Sequence, residues 1–255
     1  MASRGVYTER ITGVQKIGDD YRVITFNDAP LARTVKPGMF FTAACGGGTV
    51  LRRPFAFMDV SGDEIRALYR IVGTGTENLA RLSVGDTLSI VAPLGTPFPL
   101  PTKDRRTILV TGGVGTPPMY LLAKHLSPRH EVHVFIGAST RSHLLFAEQF
   151  RKITPHVFCA TDDGSYGEKG TVVDLLRKKF SLPLMSALVY ACGPKPMLRA
   201  LADFLAVNKL TGYFSLEALM GCGYGVCLGC AVTTKDGYKL CCSDVPVFKA
   251  DEVIF

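Results

Sequence analysis

Thr107-Ile108-Leu109-Val110-Thr111-Gly112-Gly113-Val114-Gly115-Thr116-Pro117-Pro118 is the stretch on which the fold turns. Its first part is a continuous apolar run of the kind a fully buried strand uses, and a glycine turn follows. Pro117-Pro118 then opens a helix to Leu126, because proline in a helix's first turn forfeits no amide that the helix needs. The same grammar repeats downstream. Residues 132–136, 157–161 and 187–191 read as buried strands, and 143–153, 171–180 and 196–207 as the helices between and after them. Buried strands alternating with helices predict a parallel, doubly wound α/β sheet.

Upstream of this region the period changes. Residues 21–26, 39–43 and 64–70 are short alternating segments separated by turns such as Val35-Lys36-Pro37-Gly38 and Val84-Gly85-Asp86, a pattern that predicts a small antiparallel barrel. The proline-rich run Pro93-Leu94-Gly95-Thr96-Pro97-Phe98-Pro99, with Pro101, marks the exit from it. Downstream, from Gly212, the chain turns to a Gly/Cys loop and one hairpin. That tail has too little apolar content to fold alone, and bound metal is the obvious way to hold it. The expected organisation is therefore multi-domain, β plus α/β: a barrel over 1–100, an α/β domain over 101–211 and a small C-terminal domain over 212–255.

Composition agrees with a globular chain of this size. With 255 residues, 47% of them hydrophobic, there is material for more than one core, and no low-complexity tract or repeat interrupts it. The N-terminal residues carry Ser, Arg, Thr and Glu and no apolar core of a leader peptide, and no long apolar run is present, so export and membrane spanning are not expected. Although the net charge is +7, the basic residues are scattered, which favours a solvated surface over a nucleic-acid face and leaves steering of anionic partners as the use of the excess.

Of the eight cysteines, Cys45, Cys159 and Cys192 are isolated, while five crowd between Cys222 and Cys242. Cys222-x4-Cys227-x2-Cys230, followed by Cys241 or Cys242, is the plant-type spacing by which four thiolates hold a [2Fe-2S] cluster. A four-cysteine zinc site uses the same ligands but pairs two short knuckles, whereas here three cysteines share one loop. Asp236-Gly237 is a hairpin signal that folds 231–235 onto 238–242 and returns the distant thiol to that loop. Spacing alone leaves Cys241 and Cys242 both open as the fourth ligand.

Weaker fragments surround this signal. Arg52-Arg53-Pro54-Phe55-Ala56, Leu68-Tyr69-Arg70 and Gly73-Thr74-Gly75-Thr76 combine an arginine able to fork a phosphate, backbone able to read a flavin edge and a turn with room for a pyrophosphate. Gly112-Gly113-Val114-Gly115-Thr116 precedes a helix, where amides and the helix dipole favour a phosphate, yet it lacks the full dinucleotide fingerprint and equally suits a plain tight turn. Cys192-Gly193-Pro194 follows a buried strand at the edge where open α/β sheets bind ligands; its thiol faces a nicotinamide on one reading and is a small buried apolar group on the other.

Arg53-Pro54-Phe55, Tyr69-Arg70, Pro93-Leu94-Gly95, Gly112-Gly113-Val114-Gly115, Asp163-Gly164-Ser165-Tyr166-Gly167, Cys192-Gly193-Pro194, Met220-Gly221-Cys222-Gly223, and Cys242-Ser243-Asp244 with Pro246-Val247-Phe248 occur in one order. That order resembles the electron-transfer subunit of type B dihydroorotate dehydrogenase, in the ferredoxin-reductase superfamily, over nearly the whole chain. The resemblance implies FAD on a six-stranded barrel, NAD on the α/β domain and a [2Fe-2S] cluster at the C-terminus. It assigns FAD to Arg53, Pro54, Phe55, Ala56, Leu68, Tyr69, Arg70, Gly75 and Thr76. For NAD on the α/β domain the candidate residues are those of the two turns: Gly112, Gly113, Gly115, Thr116, Cys192, Gly193 and Pro194. The cluster falls to Cys222, Cys227, Cys230 and Cys242, the last chosen because it directly precedes Ser-Asp-x-Pro-Val-Phe. Departures from the family pattern are Ala56 in place of a common serine, Thr96-Pro97 in place of an Asn-Gly-like turn, Val245 in place of a glycine, and Ala218-Leu219 where charged residues are usual.

The function so implied is cytoplasmic electron transfer in UMP synthesis, from the FMN of a dihydroorotate-oxidising subunit, in a heterotetramer of two copies of each chain, to NAD+. No catalytic acid or base is needed in this chain. Two alternatives keep other parts of the reading: the same carriers serving a hydrogenase or a ferredoxin:NAD(P) oxidoreductase, and a zinc-stapled binding module without enzymatic activity.

Overall fold

A computed structural model describes residues 3–101, 105–180 and 186–255. The first sheet is antiparallel and curled, built from β1 (Gly5–Ile17), β2 (Tyr21–Asn27), β3 (Phe40–Ala43), β4 (Arg53–Ala56), β5 (Asp59–Ser61), β6 (Glu64–Arg70) and β7 (Thr87–Leu94), in the order β4-β3-β7-β1-β2-β6-β5. Short helices α1 (Ala29–Ala32) and α2 (Thr74–Ala80) decorate it. β1 serves both halves. Its first residues pair with β7, its later ones with β2, and the register slips between Ile11 and Gly13, where the strand turns the corner. Phe26 and Phe57 meet the ring of Phe41 with centroids at 5.9 and 5.1 Å, filling the inside of the curl, and Phe55 of β4 meets Tyr69 of β6 at 5.4 Å across its open side. The barrel expected from the alternating segments is thus present, with the three-residue β5 added as a seventh strand at its edge.

The second sheet contains β8 (Thr107–Gly112), β9 (Val132–Ala138), β10 (Val157–Thr161), β11 (Glu168–Lys169), β12 (Leu188–Cys192), β13 (Gly212–Ser215) and, after the hairpin of β14 (Ala231–Thr234) and β15 (Gly237–Leu240), β16 (Val247–Lys249). Its order is β11-β10-β9-β8-β12-β13-β16, parallel throughout except for β16. Helices α3 (Thr116–Leu126) and α4 (Ala147–Arg151) pack on one face, and α5 (Val172–Lys179) and α6 (Lys195–Val207) on the other, so the doubly wound reading holds. Strand residues such as Ile108, Leu109, Val110 and Phe135 are fully buried because both faces are covered, each contributing about 1.5–3 kcal/mol by leaving water. Thr171 caps α5, its hydroxyl accepting from the Asp174 amide at 3.2 Å.

Two expectations are corrected. Residues 143–153 do not form one helix. A 3-10 turn over Arg141–His143 ends in extended backbone, Phe146 takes φ 60°, which no helix accommodates, and only Ala147–Arg151 is helical. The tail also does not leave the sheets at Gly212, since Gly212–Ser215 is a further parallel strand beside β12 and Val247–Lys249 closes the edge beyond it. By packing, the chain falls into two units: residues 3–97 with 217–232 and 238–246, and the rest of the described chain. The cysteine loop therefore folds with the barrel, and the final residues with the α/β sheet.

Candidate functional site

In the barrel unit, β4 is the strand whose residues all remain half-exposed, while its neighbour β3 is buried along its whole length. Arg53, Pro54, Phe55 and Ala56 thus offer an open surface on a rigid support. Arg53 donates to the Leu51 carbonyl at 2.7 Å, and a methyl group on Gly75 would lie 3.3 Å from its Nε, so the guanidinium lies over the start of α2. Gly73 to Thr76, expected as a turn with room for a pyrophosphate, opens that helix. Thr76 closes its first turn by donating to the Gly73 carbonyl at 2.9 Å and accepting from the Val72 amide at 2.9 Å. Leu68 and Tyr69 are buried, and burial pushes the Tyr69 phenol up to about 12, which keeps it a neutral donor. Arg70 is exposed, 3.4 Å from Asp20 and over the ring of Tyr21. Arg52 does not join this group, because its guanidinium is pinned to the carbonyl and hydroxyl of Ser89 at 2.8 and 2.9 Å.

The cysteine loop lies on the same unit. Gly223 sits against β3 and β7, where a methyl on its Cα would lie 3.4 Å from Leu94 Cδ1 and 3.7 Å from Thr42 Oγ1. Thr42 in turn pairs across the ladder with Pro54 of the open strand, so one strand spacing, about 4.8 Å, separates the strand that carries the loop from the strand that carries Arg53 to Ala56. Thr42 Oγ1 is also the one buried side-chain oxygen or nitrogen among the described residues with no hydrogen-bond partner. Burying such a hydroxyl unpaired costs about 1–3 kcal/mol, and a group bound beside it would supply the partner. No sequence signal marked this residue.

Around the loop, amides converge on sulfur. Tyr224 and Cys227 donate to Cys222 Sγ at 3.3 and 3.5 Å, Cys222 donates to Cys227 Sγ at 3.4 Å, and Gly225 donates to Cys242 Sγ at 3.1 Å. The Cys227 and Tyr224 amides hold the Cys222 thiol down at about 6, whereas burial, with Cys230 adding to it, pushes Cys242 up to about 11. Cys230 Sγ and Cys242 Sγ are 3.2 Å apart. Cys241 is fully buried, burial pushes its thiol up to about 12, and its amide donates to the Cys230 carbonyl at 3.1 Å. A single tetrahedral zinc would draw four sulfurs to within about 3.8 Å of each other. Here Cys230 and Cys242 form one close pair, while Cys222 and Cys227 exchange amide-to-sulfur hydrogen bonds with each other. All eight cysteines are free of disulfides.

Gly95 ties the tail to the barrel. Its φ is 72°, and a methyl on its Cα would lie 2.8 Å from the Pro246 ring and 2.9 Å from Phe40 Cε1. Gly95→Ala is expected to cost about 2 kcal/mol or more, from left-handed strain plus overlap with both rings. A lowered melting temperature together with reduced cluster occupancy is the predicted readout, and an unchanged melting curve would contradict the contact.

In the α/β unit the two glycine-bearing turns meet. β8 and β12 are neighbours with Thr111 opposite Cys192, and they flank the point where the strand order reverses, the edge at which open α/β sheets bind ligands. Gly112 ends β8, Gly113 and Gly115 follow it, Thr116 begins α3, and Gly193 and Pro194 follow β12. A methyl on Gly115 would lie 2.1 Å from the Cys192 carbonyl oxygen, and one on Gly193 3.2 Å from the Gly112 amide nitrogen. Cys192 is buried, whereas Gly113, Val114, Gly193 and Pro194 reach the surface beside the start of α3.

Residues 217–254 match the family described as the iron-sulfur cluster binding domain of dihydroorotate dehydrogenase B, and 109–203 match an oxidoreductase NAD-binding domain. The chain is 40% identical over 230 residues to the dihydroorotate dehydrogenase B (NAD(+)) electron transfer subunit of Geobacillus kaustophilus, covering 86% of this chain and 87% of that one. With the same subunit of Desulforamulus reducens it shares 33% over 259 residues, 98% of each. Among solved structures, a chain of the NADH-dependent reduced ferredoxin-NADP oxidoreductase superposes with TM-score 0.85 at 27% identity, over 96% of this chain and 89% of that one. A ferredoxin NADP+ reductase from Neisseria gonorrhoeae shares the fold, with TM-score 0.68 at 17% identity, over 79% of this chain and 91% of that one.

Proposed function

The chain belongs to the family of dihydroorotate dehydrogenase B electron-transfer subunits, and on that basis we propose that it links a dihydroorotate-oxidising FMN subunit to NAD+ in pyrimidine synthesis. When bound, the cluster relays single electrons and FAD exchanges them in pairs, as hydride, with the nicotinamide.

The chain's own residues position and tune. Cys222, Cys227, Cys230 and Cys242 supply the thiolates, while the amides of Tyr224, Gly225 and Cys227 donate to their sulfurs and stabilise added negative charge. Arg53 to Ala56 and Leu68 to Arg70 offer the flavin support, with Arg53 and the turn at Gly75 and Thr76 on the pyrophosphate. Gly112, Gly113, Gly115 and Thr116 receive the phosphates of NAD, and Cys192, Gly193 and Pro194 flank the nicotinamide. By cofactor the chain divides near residue 100 into FAD and NAD segments, and the cluster segment follows the strand Gly212–Ser215. The observation that carries this reading is the seat of Gly223 on Thr42, one strand away from the strand proposed for the flavin.

The exposed apolar side chains of Leu219, Val226 and Leu228 flank Cys222 and Cys227, and such a rim beside a redox centre suits a protein partner better than water. We assign the FMN subunit to this face, in a complex of two copies of each chain. Leu219→Asp, at a site 90% exposed, is expected to weaken that complex about tenfold or more while leaving cofactor content unchanged. Equal affinity of the two chains in a pull-down titration would argue against this face. Among the described residues no helix is long and apolar enough to cross a membrane, and eight cysteines without a disulfide suit a reducing cytoplasm.

The test is co-expression with candidate FMN subunits, then cofactor analysis and an NAD-linked dihydroorotate assay. A complex that reduces NAD+ with dihydroorotate supports the proposal, and a stable partner that is a hydrogenase or a ferredoxin-dependent enzyme overturns it.

A further inference from the structure

Away from the cofactor residues, Glu131, His133 and His156 converge at the amino-terminal edge of the α/β sheet. Glu131 immediately precedes β9, His133 is the second residue of that strand, and His156 directly precedes β10. The strands are parallel and in register, with Val134 beside Val157, and the Val134 amide donates to the His156 carbonyl at 2.8 Å, so the two histidines are held side by side. Their imidazoles stack with centroids 4.4 Å apart and planes 14° from parallel. Both Nε2 atoms face one oxygen: Glu131 Oε1 lies 2.9 Å from that of His133 and 4.0 Å from that of His156.

From this geometry we infer a divalent-cation site formed by Glu131 Oε1, His133 Nε2 and His156 Nε2, suited to zinc(II) or a similar late-transition ion. The three atoms lie within 4.8 Å of one another. A tetrahedral ion with bonds of about 2.0–2.2 Å separates its ligands by about 3.4 Å, so small side-chain rotations bring all three onto one ion and leave a fourth position for water. Two imidazoles and a carboxylate are ligands that select zinc or copper over calcium or magnesium. A surface ion pair between His133 and Glu131 alone is worth about 0–1 kcal/mol and gives no reason for a second imidazole to face the same oxygen. Arg106 completes the arrangement. Its Nε binds Glu131 Oε2 at 2.7 Å, which orients the carboxylate and leaves Oε1 for the ion, although its positive charge opposes the cation and limits affinity to about the micromolar range.

Such an ion clips the start of β9 to the start of β10, on the edge of the sheet opposite the glycine turns. Its effect is therefore on the stability of the α/β unit by mass action, separate from electron transfer.

Calorimetric titration of zinc(II) into chelator-washed holoprotein, with FAD and cluster in place, is expected to show a single site per chain. In a His133→Gln, His156→Gln chain that site is expected to weaken at least about tenfold, with NADH-dependent dye reduction unchanged. Copper(II) offers a readout that needs no variant. In the oxidised holoprotein, where FAD and cluster carry no unpaired spin, its electron paramagnetic resonance signal is expected to show splitting from a pair of imidazole nitrogens. Superimposable isotherms for the two chains, or a copper signal without nitrogen splitting, would overturn the assignment.

Discussion

A Cys242→Ala chain is expected to lose the visible absorbance of the cluster and more than about nine-tenths of its NAD-linked dihydroorotate activity, while a Cys241→Ala chain keeps both. The two thiols are adjacent in sequence and both are buried, so burial does not separate them. Their neighbours do. Cys242 Sγ meets Cys230 Sγ at 3.2 Å and accepts from the Gly225 amide, within the ring of donors that also serves Cys222 and Cys227. Cys241 contributes its amide, which bonds the Cys230 carbonyl and fixes the hairpin return, a role that survives removal of its sulfur. The Cys242→Ala chain should still bind FAD and reduce a dye with NADH, because the Cys242 sulfur bonds to Gly225 and Cys230 of the cysteine loop. Loss of the cluster in Cys241→Ala and its retention in Cys242→Ala would reverse the ligand assignment.

Gly115→Ala is expected to raise the KM for NADH about tenfold to a hundredfold and to cost about 2–4 kcal/mol of stability. The added carbon would meet the Cys192 carbonyl oxygen at 2.1 Å, its carbon at 2.3 Å and the Gly193 nitrogen at 2.6 Å. All three are backbone atoms, so relief requires parting the turns after β8 and β12, the very backbone proposed to receive the dinucleotide. Gly113→Ala is the informative control. It meets nothing within 4 Å but sits at φ 55°, so its cost is left-handed strain alone, about 1–2 kcal/mol. Steady-state kinetics and thermal melts of both variants check the contrast, and equal effects on KM would show that close backbone approach is not what shapes the site.

Much of the architecture was legible in the sequence because it rests on local pattern. Residues 108–110 are apolar without interruption since both faces of β8 are covered, and 64–67 alternate since only one face of that part of β6 is buried, before Ala67 to Tyr69 go inside together. The cysteine spacing was equally readable, because the loop's own covalent length brings Cys222, Cys227 and Cys230 together. What depended on distant partners was not. Gly212-Tyr213-Phe214-Ser215 is too short and too mixed to announce a strand, and it becomes one only because β12 lies on one side and β16 on the other. The helix expected over 143–153 failed at Phe146, whose left-handed backbone no apolar period reveals. Thr42 looked like any strand threonine until the fold put Gly223 over its hydroxyl, and Glu131, His133 and His156 converge only through the parallel register of β9 and β10.

The most direct measurement is the metal, sulfide and flavin content of the purified chain after anaerobic reconstitution. The account predicts about two irons, two acid-labile sulfides and one FAD per chain, with the iron reducible by NADH through the bound flavin. Zinc without iron, or iron that NADH leaves oxidised while the flavin is reduced, would contradict it.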